Sequence, residues 1–121
     1  AKLGILHGAA AYCCQNSEGQ INETESISAG LDYPSVSPIH CFLKDTKRAR
    51  YTFATDESAL YAYQMVTKFE NLNPSLEPSH AFAEAIKIAP KLSKDTIVIV
   101  NSCGDAKKDR DILKQRLKKY R

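Results

Sequence analysis

The run Thr96-Ile97-Val98-Ile99-Val100 constrains the fold more than any other feature of the sequence. A continuous β-branched run without charges is typical of a strand that is buried on both faces, as in a parallel sheet. Residues 101–105, Asn-Ser-Cys-Gly-Asp, follow at the carboxyl end of this predicted strand. Ligands of open α/β sheets bind at that edge, so residues 101–105 are the best site candidate from pattern alone.

A strand and a helix are predicted in the middle of the chain, before Pro78. Residues 50–55 are rich in β-forming side chains and predict another strand. Thr55 and the two acids after it predict a helix start, because a hydroxyl caps free amides and anions favour the N-terminus. Its apolar stripe would comprise Ala59, Ala62, Tyr63, Val66 and Phe69.

Two more helices complete the predicted order. One would open at Pro78 and stop at Pro90, and another would run from about Asp109 to Tyr120. The apolar face of the first would comprise Ala81, Phe82, Ala85, Ile86 and Ala89. The order strand, helix, helix, strand, helix predicts an α/β fold with parallel strands and packed helices.

The first third of the chain is less regular. Residues 3–14 predict a strand that runs into a loop, and residues 26–38 contain two prolines and a glycine that exclude a long helix or a central strand. Ser37-Pro38 could open a short helix through Phe42, with the proline at the first helical position.

Composition excludes several classes of protein. No apolar run approaches the roughly 20 residues of a membrane-spanning helix. The apolar stretch among the first residues is shorter than we expect of a signal peptide. The four cysteines do not form a secreted disulfide framework, so we expect free thiols, most of them buried, in a cytoplasmic protein. The cations from Lys107 to Arg121 fit the end of a helix better than nucleic-acid binding, since no aromatic residues alternate with them.

Three blocks of sequence carry a specific resemblance. They are Gly19-Gln20-Ile21, the run Ser-Ile-Ser-Ala-Gly-Leu-Asp-Tyr-Pro-Ser-Val at 26–36, and Pro-Ser-Leu-Glu-Pro-Ser-His-Ala at 74–81. In these blocks the chain is very similar to the tryptophan synthase beta chain family. The match runs from about Gly4 to Gly104, which is most of this chain but only the last third or so of a family member.

The resemblance implies a reaction and an architecture. The family makes L-tryptophan from L-serine and indole with pyridoxal 5′-phosphate, and the cofactor is the electron sink. Family members have the fold-type II architecture, in which the cofactor lies between two α/β domains. By this resemblance residues 1–121 form an incomplete C-terminal portion of a tryptophan synthase beta chain-like domain.

The 26–36 block carries the substrate side of the implied site. Asp32 matches a carboxylate that helps to close the active site on the amino-acid intermediate, and Gly30 lies in the same block. Tyr33 and Ser35 match positions whose backbone carbonyls bind a monovalent cation. Without the resemblance, Asp32 could be a turn cap and the segment a plain turn.

The cofactor side is implied by two later segments. Glu77 matches a glutamate near the cofactor ring, although spacing alone also suits a helix-start anion. Cys103, next to Gly104, falls where the family has a serine that hydrogen-bonds the pyridine nitrogen, and Ser102 is the alternative if the register slips by one. A thiol is a weaker donor than a hydroxyl, and Cys103 could equally be a small buried residue at a strand end.

Leu6 and His7 align with positions that line the family's indole tunnel, where His7 would make the passage more polar. The three histidines show no grouping with Cys, Asp or Glu that predicts a transition-metal site. After Gly104 the chain departs from the family. The family reads S-G-R-G-D-K-D where this chain reads Cys-Gly-Asp-Ala-Lys-Lys-Asp.

Two parts of the family's cofactor site have no counterpart in the sequence. No His-Lys pair is present to supply the Schiff-base lysine, and none of the five glycines are adjacent, so there is no glycine-rich phosphate loop. We therefore predict that this chain alone neither holds the cofactor nor makes tryptophan. Expected partners are the N-terminal portion of a beta chain, a second beta chain in a homodimer, and the alpha chain.

Two other functional interpretations remain open at this point. One is a non-catalytic remnant or interaction module that keeps the fold, and the missing lysine and the altered segment after Gly104 favour it. The other is a fragment of a serine dehydratase-like enzyme, which Cys103 suggests and the 26–36 block opposes.

Overall fold

A computed structural model describes residues 1–118, and its contacts divide the chain into two units, Ala1–Thr52 and Phe53–Arg121. Within the described residues it contains four α-helices and one two-stranded sheet, so the predicted α/β class is confirmed in this coarse form. No described helix is long and apolar enough to cross a membrane.

An antiparallel hairpin begins the first unit. Strand β1, Lys2–Leu6, pairs with strand β2, Ala9–Cys13, and Leu6 lies opposite Ala9. His7 and Gly8 form the turn with φ of 50° and 78°. Positive φ at both central residues is the geometry that matches the twist of a two-residue hairpin. The sequence pattern predicts one strand here, because a histidine is not an evident signal for a turn at positive φ.

Helix α1, Pro38–Asp45, packs beside this hairpin in the same unit. It begins where the sequence predicts: Pro38 is at the first position, and the Ser37 hydroxyl accepts a hydrogen bond from the Ile39 amide. The Tyr12 hydroxyl donates to Asp45 at 2.8 Å, and this bond, followed by desolvation, raises the pKa of Tyr12. The core of the unit comprises Ala11, Cys13, Ile27 and Cys41.

The second unit is built on a pair of helices. Helix α2, Asp56–Glu70, is capped by the Thr55 hydroxyl as predicted, and it packs against helix α3, Leu76–Ile88. Half of the buried side chains of this pair are alanine or serine, which allows a close approach: Ala59, Leu60, Ala62, Val66, Leu76, Pro78, Ser79 and Ala83. A short 3-10 helix, Ala106–Asp109, then leads into helix α4, Arg110–Lys118. The predicted end of this helix at Tyr120 lies outside the described residues.

The predictions of two strands, at residues 50–55 and 96–100, are wrong. Residues 50–55 and 96–100 are not in strands, and Ile97 and Ile99 are 86% and 91% exposed. A buried strand needs a neighbouring strand on each side, and the described residues contain no parallel strand pair. The run at 96–100 keeps the pattern of a buried strand but lacks the partners that would bury it.

The predicted apolar face of α3 is also wrong. The helix begins two residues before Pro78, and Leu76, Ser79 and Ala83 face the core. Ala81, Ile86 and Ala89 of the predicted stripe are exposed. Phe69 of α2 is likewise 63% exposed. These side chains are therefore exposed to solvent and not part of the core.

Candidate active-site residues

Asp32 lies in the first unit, directly after a 3-10 turn formed by Ala29–Leu31. The Leu31 amide donates to the Ser28 carbonyl at 3.0 Å, and the Ser28 side chain is fully buried. Asp32 itself is exposed, and no ion pair of this carboxylate occurs in the described part of the chain. A solvent-facing carboxylate at the end of a turn is available to a ligand, but its matched role in substrate closure stays a prediction.

Four of the other predicted residues in this unit meet at one hollow. Leu6, His7, Tyr33 and Ser35 line a cavity of about 230 Å³. The Tyr33 hydroxyl lies 2.6 Å from Nδ1 of His7, so this histidine has a local partner. The residues that the resemblance assigns to the tunnel therefore lie beside those that it assigns to the cation, whereas Gly30 and Asp32 do not line this hollow.

Backbone pairing fixes the segment that was matched to a cation site. Cys13 and Ser35 form an isolated antiparallel bridge, and the Cys14 amide donates to the Pro34 carbonyl at 2.7 Å. The Ser35 hydroxyl also contacts the Tyr12 carbonyl at 3.2 Å. Cation binding by the Tyr33 and Ser35 carbonyls stays a prediction. Among the described residues no group of three or more His, Cys, Asp or Glu could hold a metal ion.

In the second unit, Ser75 joins the two segments that the resemblance assigns to the cofactor ring. Its hydroxyl lies 2.9 Å from Oε2 of Glu77 and 3.2 Å from the carbonyl oxygen of Cys103, so it can donate to either. Ser75 is 1% exposed, and Glu77 is half-buried at the first turn of α3. Residues 77 and 103, far apart in the sequence, therefore share one buried hydrogen-bond partner.

Lys108 contacts both oxygens of the Glu77 carboxylate. Its ammonium lies 2.8 Å from Oε2 and 2.9 Å from Oε1 of Glu77, and 2.8 Å from Oδ1 of Asp109. Partial desolvation lowers the pKa of Lys108, but the hydrogen bonds to Asp109 and then Glu77 outweigh it, so the net pKa is raised. Lys108 therefore stays protonated at neutral pH and keeps a cation beside the Glu77 carboxylate.

Ser75, Glu77, Lys108 and Asp109 form the Glu77 cluster, and Asp109 connects it to the start of α3. Its Oδ2 accepts a hydrogen bond from the Leu76 amide at 2.8 Å, and the residue is 5% exposed. Helix α3 has no side-chain cap from its own N-cap residue, Ser75. Asp109 satisfies one of the free amides at the helix start, where an anion is also favoured by the helix dipole.

The loop after Cys103 is ordered by local contacts of its own. Gly104 has φ of 83°, and a Cβ added there would lie 2.7 Å from the Ser75 hydroxyl oxygen. Asp105 bridges Pro74 through the backbone, and its side chain accepts from the Lys107 amide at 2.8 Å. The departure from the family's pattern therefore introduces an aspartate cap at the start of the 3-10 helix. Cys103 and Gly104 are both exposed, so the interpretation of Cys103 as a buried residue is wrong.

We expect Gly104→Ala to destabilise the second unit by about 1–2 kcal/mol, because a Cβ is strained at positive φ. The close approach to Ser75 adds to this cost unless the hydroxyl moves. Urea unfolding followed by circular dichroism would measure it. Gly19→Ala is the control for strain without contact: its φ is the same 83°, and the nearest atom to an added Cβ is 3.8 Å away. Equal losses in the two variants would show that the Ser75 contact contributes nothing.

Ser75, Lys108 and Asp109 are not among the residues that the sequence predicts for the site. A signal for two of them was present, because the family segment S-G-R-G-D-K-D and the segment at 103–109 agree in their final Lys-Asp. Ser75 lies in the 74–81 block, two residues before Glu77. Only the fold shows that these residues contact the predicted site.

No protein-family model matches the chain. Among curated proteins, the tryptophan synthase beta chain of Bordetella petrii is 49% identical over 115 residues, which are 95% of this chain and 29% of the relative. Those of Allorhizobium ampelinum and Cereibacter sphaeroides are 51% and 52% identical over 106 residues, 88% of this chain and 26% of each relative.

The resemblance to the tryptophan synthase beta chain is confirmed. This chain spans about 29% of the length of the Bordetella petrii relative. The similarity therefore covers nearly all of this chain but only a limited part of each tryptophan synthase beta chain.

The residues present do not by themselves fit pyridoxal phosphate. Both carboxylate oxygens of Glu77 contact Lys108, and the thiol of Cys103 is exposed, so polar groups are available at one edge of a ring site. The sequence contains no His-Lys pair and no adjacent glycines, which the covalent anchor and the phosphate loop of the family require. No chemical step is therefore assigned to this chain through the cofactor.

All four cysteines are free thiols. Cys13 and Cys41 are buried, as expected of small apolar residues, whereas Cys14 and Cys103 are exposed. Only two of the four are buried, so the expectation that most of them are buried is wrong.

Proposed function

We propose that this chain is the C-terminal portion of a tryptophan synthase beta chain of fold-type II and supplies part of its pyridoxal-phosphate site. The complete enzyme would make L-tryptophan from L-serine and indole. The observation that carries the proposal is the position of the Ser75 hydroxyl. It lies 2.9 Å from Oε2 of Glu77 and 3.2 Å from the backbone carbonyl oxygen of Cys103. The resemblance assigns Glu77 and Cys103 separately to the same cofactor ring, and a shared partner supports that assignment.

Each candidate residue has a distinct proposed role. Asp32 is a catalytic carboxylate on the substrate side, which would accept from the serine hydroxyl, and Gly30 lies beside the same substrate. Glu77 is the carboxylate beside the ring, and the Cys103 thiol would donate weakly to the pyridine nitrogen, with Gly104 allowing the loop to turn. The proposed binding and tunnel residues on the hairpin side are Leu6, His7, Tyr33 and Ser35, the last two through carbonyls that could hold a monovalent cation.

We further propose that the chain is inactive alone and acts with partners. The lysine and the phosphate loop would come from the N-terminal portion of a beta chain, and a second beta chain and the alpha chain would complete the assembly. The exposed side chains of Ile97 and Ile99 support an additional covering segment, because apolar side chains of this kind are normally buried. Four free thiols are consistent with a reducing compartment such as the cytoplasm.

One alternative is a non-catalytic remnant that retains the fold, and a difference from the family sequence supports it. The segment after Gly104 replaces the family's arginine and second glycine with Asp105 and Ala106. The same segment still provides Lys108 and Asp109 to the Glu77 cluster, which favours a retained site. A serine dehydratase-like fragment is disfavoured by the identity to tryptophan synthase beta chains.

The test is complementation with the missing portion. We expect this chain alone, mixed with pyridoxal phosphate and dialysed, to show no internal-aldimine absorbance band. Adding the N-terminal portion of the Bordetella petrii beta chain should produce the band and serine-dependent tryptophan synthesis from indole. Glu77→Gln should abolish most of that synthesis, whereas Glu57→Gln, which changes an exposed acid of α2, should not.

Two outcomes would contradict the proposal. A stable band with this chain alone would show that the residues present do hold the cofactor. A folded pair that binds the cofactor but makes no tryptophan would favour the remnant.

A further inference from the structure

A groove of about 520 Å³ lies along one face of α4 in the second unit, and neither Glu77 nor Cys103 lines it. Its lining residues include the cations Lys107, Arg110, Lys114 and Lys118 and the apolar residues Leu113 and Leu117. Its volume falls within the range of about 300–1,000 Å³ that is usual for small-molecule sites. Neither the resemblance nor the proposed function assigns any role to this groove.

The charges of the groove are all of one sign. Four of its lining residues are cations and none is an anion. In the described part of the chain, no ion pair involves the side chains of Lys107, Arg110, Lys114 or Lys118. The groove therefore holds four cations, none of which lies within ion-pair distance of a described carboxylate.

The helix dipole accounts for part of this cluster only. Lys114 and Lys118 lie toward the C-terminal end of α4, where cations are favoured. Lys107 lies in the preceding 3-10 helix and Arg110 begins α4, where the dipole disfavours a cation. Arg110, Lys114 and Lys118 are also spaced at four residues, a spacing at which like charges destabilise a helix. An anion in the groove would relieve both effects.

Beside the cations lies an apolar wall. Leu113 is 6% exposed, and Leu117, one turn later, is half-buried on the same stripe. Tyr63 and Asn73 also line the groove, and the Tyr63 hydroxyl donates to Oδ1 of Asn73 at 2.8 Å. An apolar surface next to a row of cations matches a ligand that has an apolar body and an anionic head.

We propose that this groove binds a small amphiphilic anion, with its apolar body against Leu113, Leu117 and Tyr63 and its carboxylate or phosphate head at Arg110 and Lys114. A guanidinium suits either head, because it donates two parallel hydrogen bonds to a pair of oxygens. This inference does not depend on the proposed function, since it uses no residue of the Glu77 cluster.

The experiment titrates the isotope-labelled full chain with three probes and follows its backbone amide signals by NMR. The probes are octanoate, octyl phosphate and the neutral octyl glucoside, each below its micellar concentration. We expect octanoate or octyl phosphate to shift the signals of Leu113 and Leu117 in a saturable way. The stronger of the two identifies the preferred head group. Octyl glucoside should bind at least about tenfold more weakly, because it lacks the charge-assisted contacts.

A double variant and its matched control test the charges. Arg110→Gln/Lys114→Gln should weaken binding of the anionic probe by about tenfold or more, since charge-assisted hydrogen bonds are lost. Lys91→Gln/Lys94→Gln removes the same charge from exposed residues of this unit that do not line the groove, and it should leave the affinity within about twofold. Added salt should weaken binding to the unaltered chain, which tests the charges even if the double variant fails to fold.

Three results would overturn the proposal. They are equal binding of octyl glucoside, affinity that is independent of both salt and the double variant, and shifts confined to the exposed residues 97–99.

Discussion

Leu76→Ala should lower the free energy of unfolding of the second unit by about 2–5 kcal/mol, the cost of deleting a fully buried leucine side chain. Leu76 is 0% exposed at the start of α3, in a core that otherwise consists mainly of small side chains. Alanine there would leave a cavity that its small neighbours cannot fill. Because small domains are stable by only about 5–15 kcal/mol, this single change could remove much of the stability.

Ile99→Ala is the matched control, since it removes a similar volume from a side chain that is 91% exposed. We expect its effect to stay within about 0.5 kcal/mol. Urea unfolding followed by circular dichroism measures both variants. A loss for Ile99→Ala as large as that for Leu76→Ala would show that residues 96–100 are buried in solution, by self-association or otherwise. Repeating the measurement at several chain concentrations would identify self-association.

The contrast between these two residues shows where sequence reasoning succeeds and fails. The starts of α1 and α2 were predicted because the signals are local: Ser37 and Thr55 are capping hydroxyls directly before their helices. The burial of residues 96–100 could not be judged from local signals, because a buried strand depends on neighbouring strands. A β-branched run indicates that a segment is suited to a buried strand. The described residues contain no strand that pairs with residues 96–100.

The candidate site divides in the same way. Asp32 and Glu77 are candidates because their blocks resemble a family, and Cys103 is one by alignment with a family serine, so the roles of all three stay predictions. The cluster around Glu77 could not be predicted, since Lys108 reaches it across 31 residues and Asp109 reaches the Leu76 amide across 33. The face of α3 was mispredicted for a related reason. Alanines and isoleucines on two sides of a helix look alike in sequence, and only packing against α2 selects Ser79 and Ala83.

Asp109→Ala should destabilise the second unit by about 1–3 kcal/mol, because it leaves the buried Leu76 amide without an acceptor. The carboxylate also holds the Lys108 ammonium at 2.8 Å, so its loss should loosen the cation beside Glu77. Asp111→Ala removes an exposed acid from the first turn of α4 and is the control. We expect Asp111→Ala to cost less than about 1 kcal/mol, the usual range of a helix-dipole contribution at the surface.

Lys108→Met separates the two functions of Asp109. The side chain of Lys108 is 49% exposed, so its ion pairs with Glu77 and Asp109 are screened by solvent and should contribute about 0–1 kcal/mol. The raised pKa of Lys108 means that this contribution is present at neutral pH and is lost as the pH rises through that pKa. The expected order of destabilisation is therefore Asp109→Ala above Lys108→Met. The reverse order would mean that the ammonium, rather than the capped amide, holds the start of α3 and with it the position of Glu77.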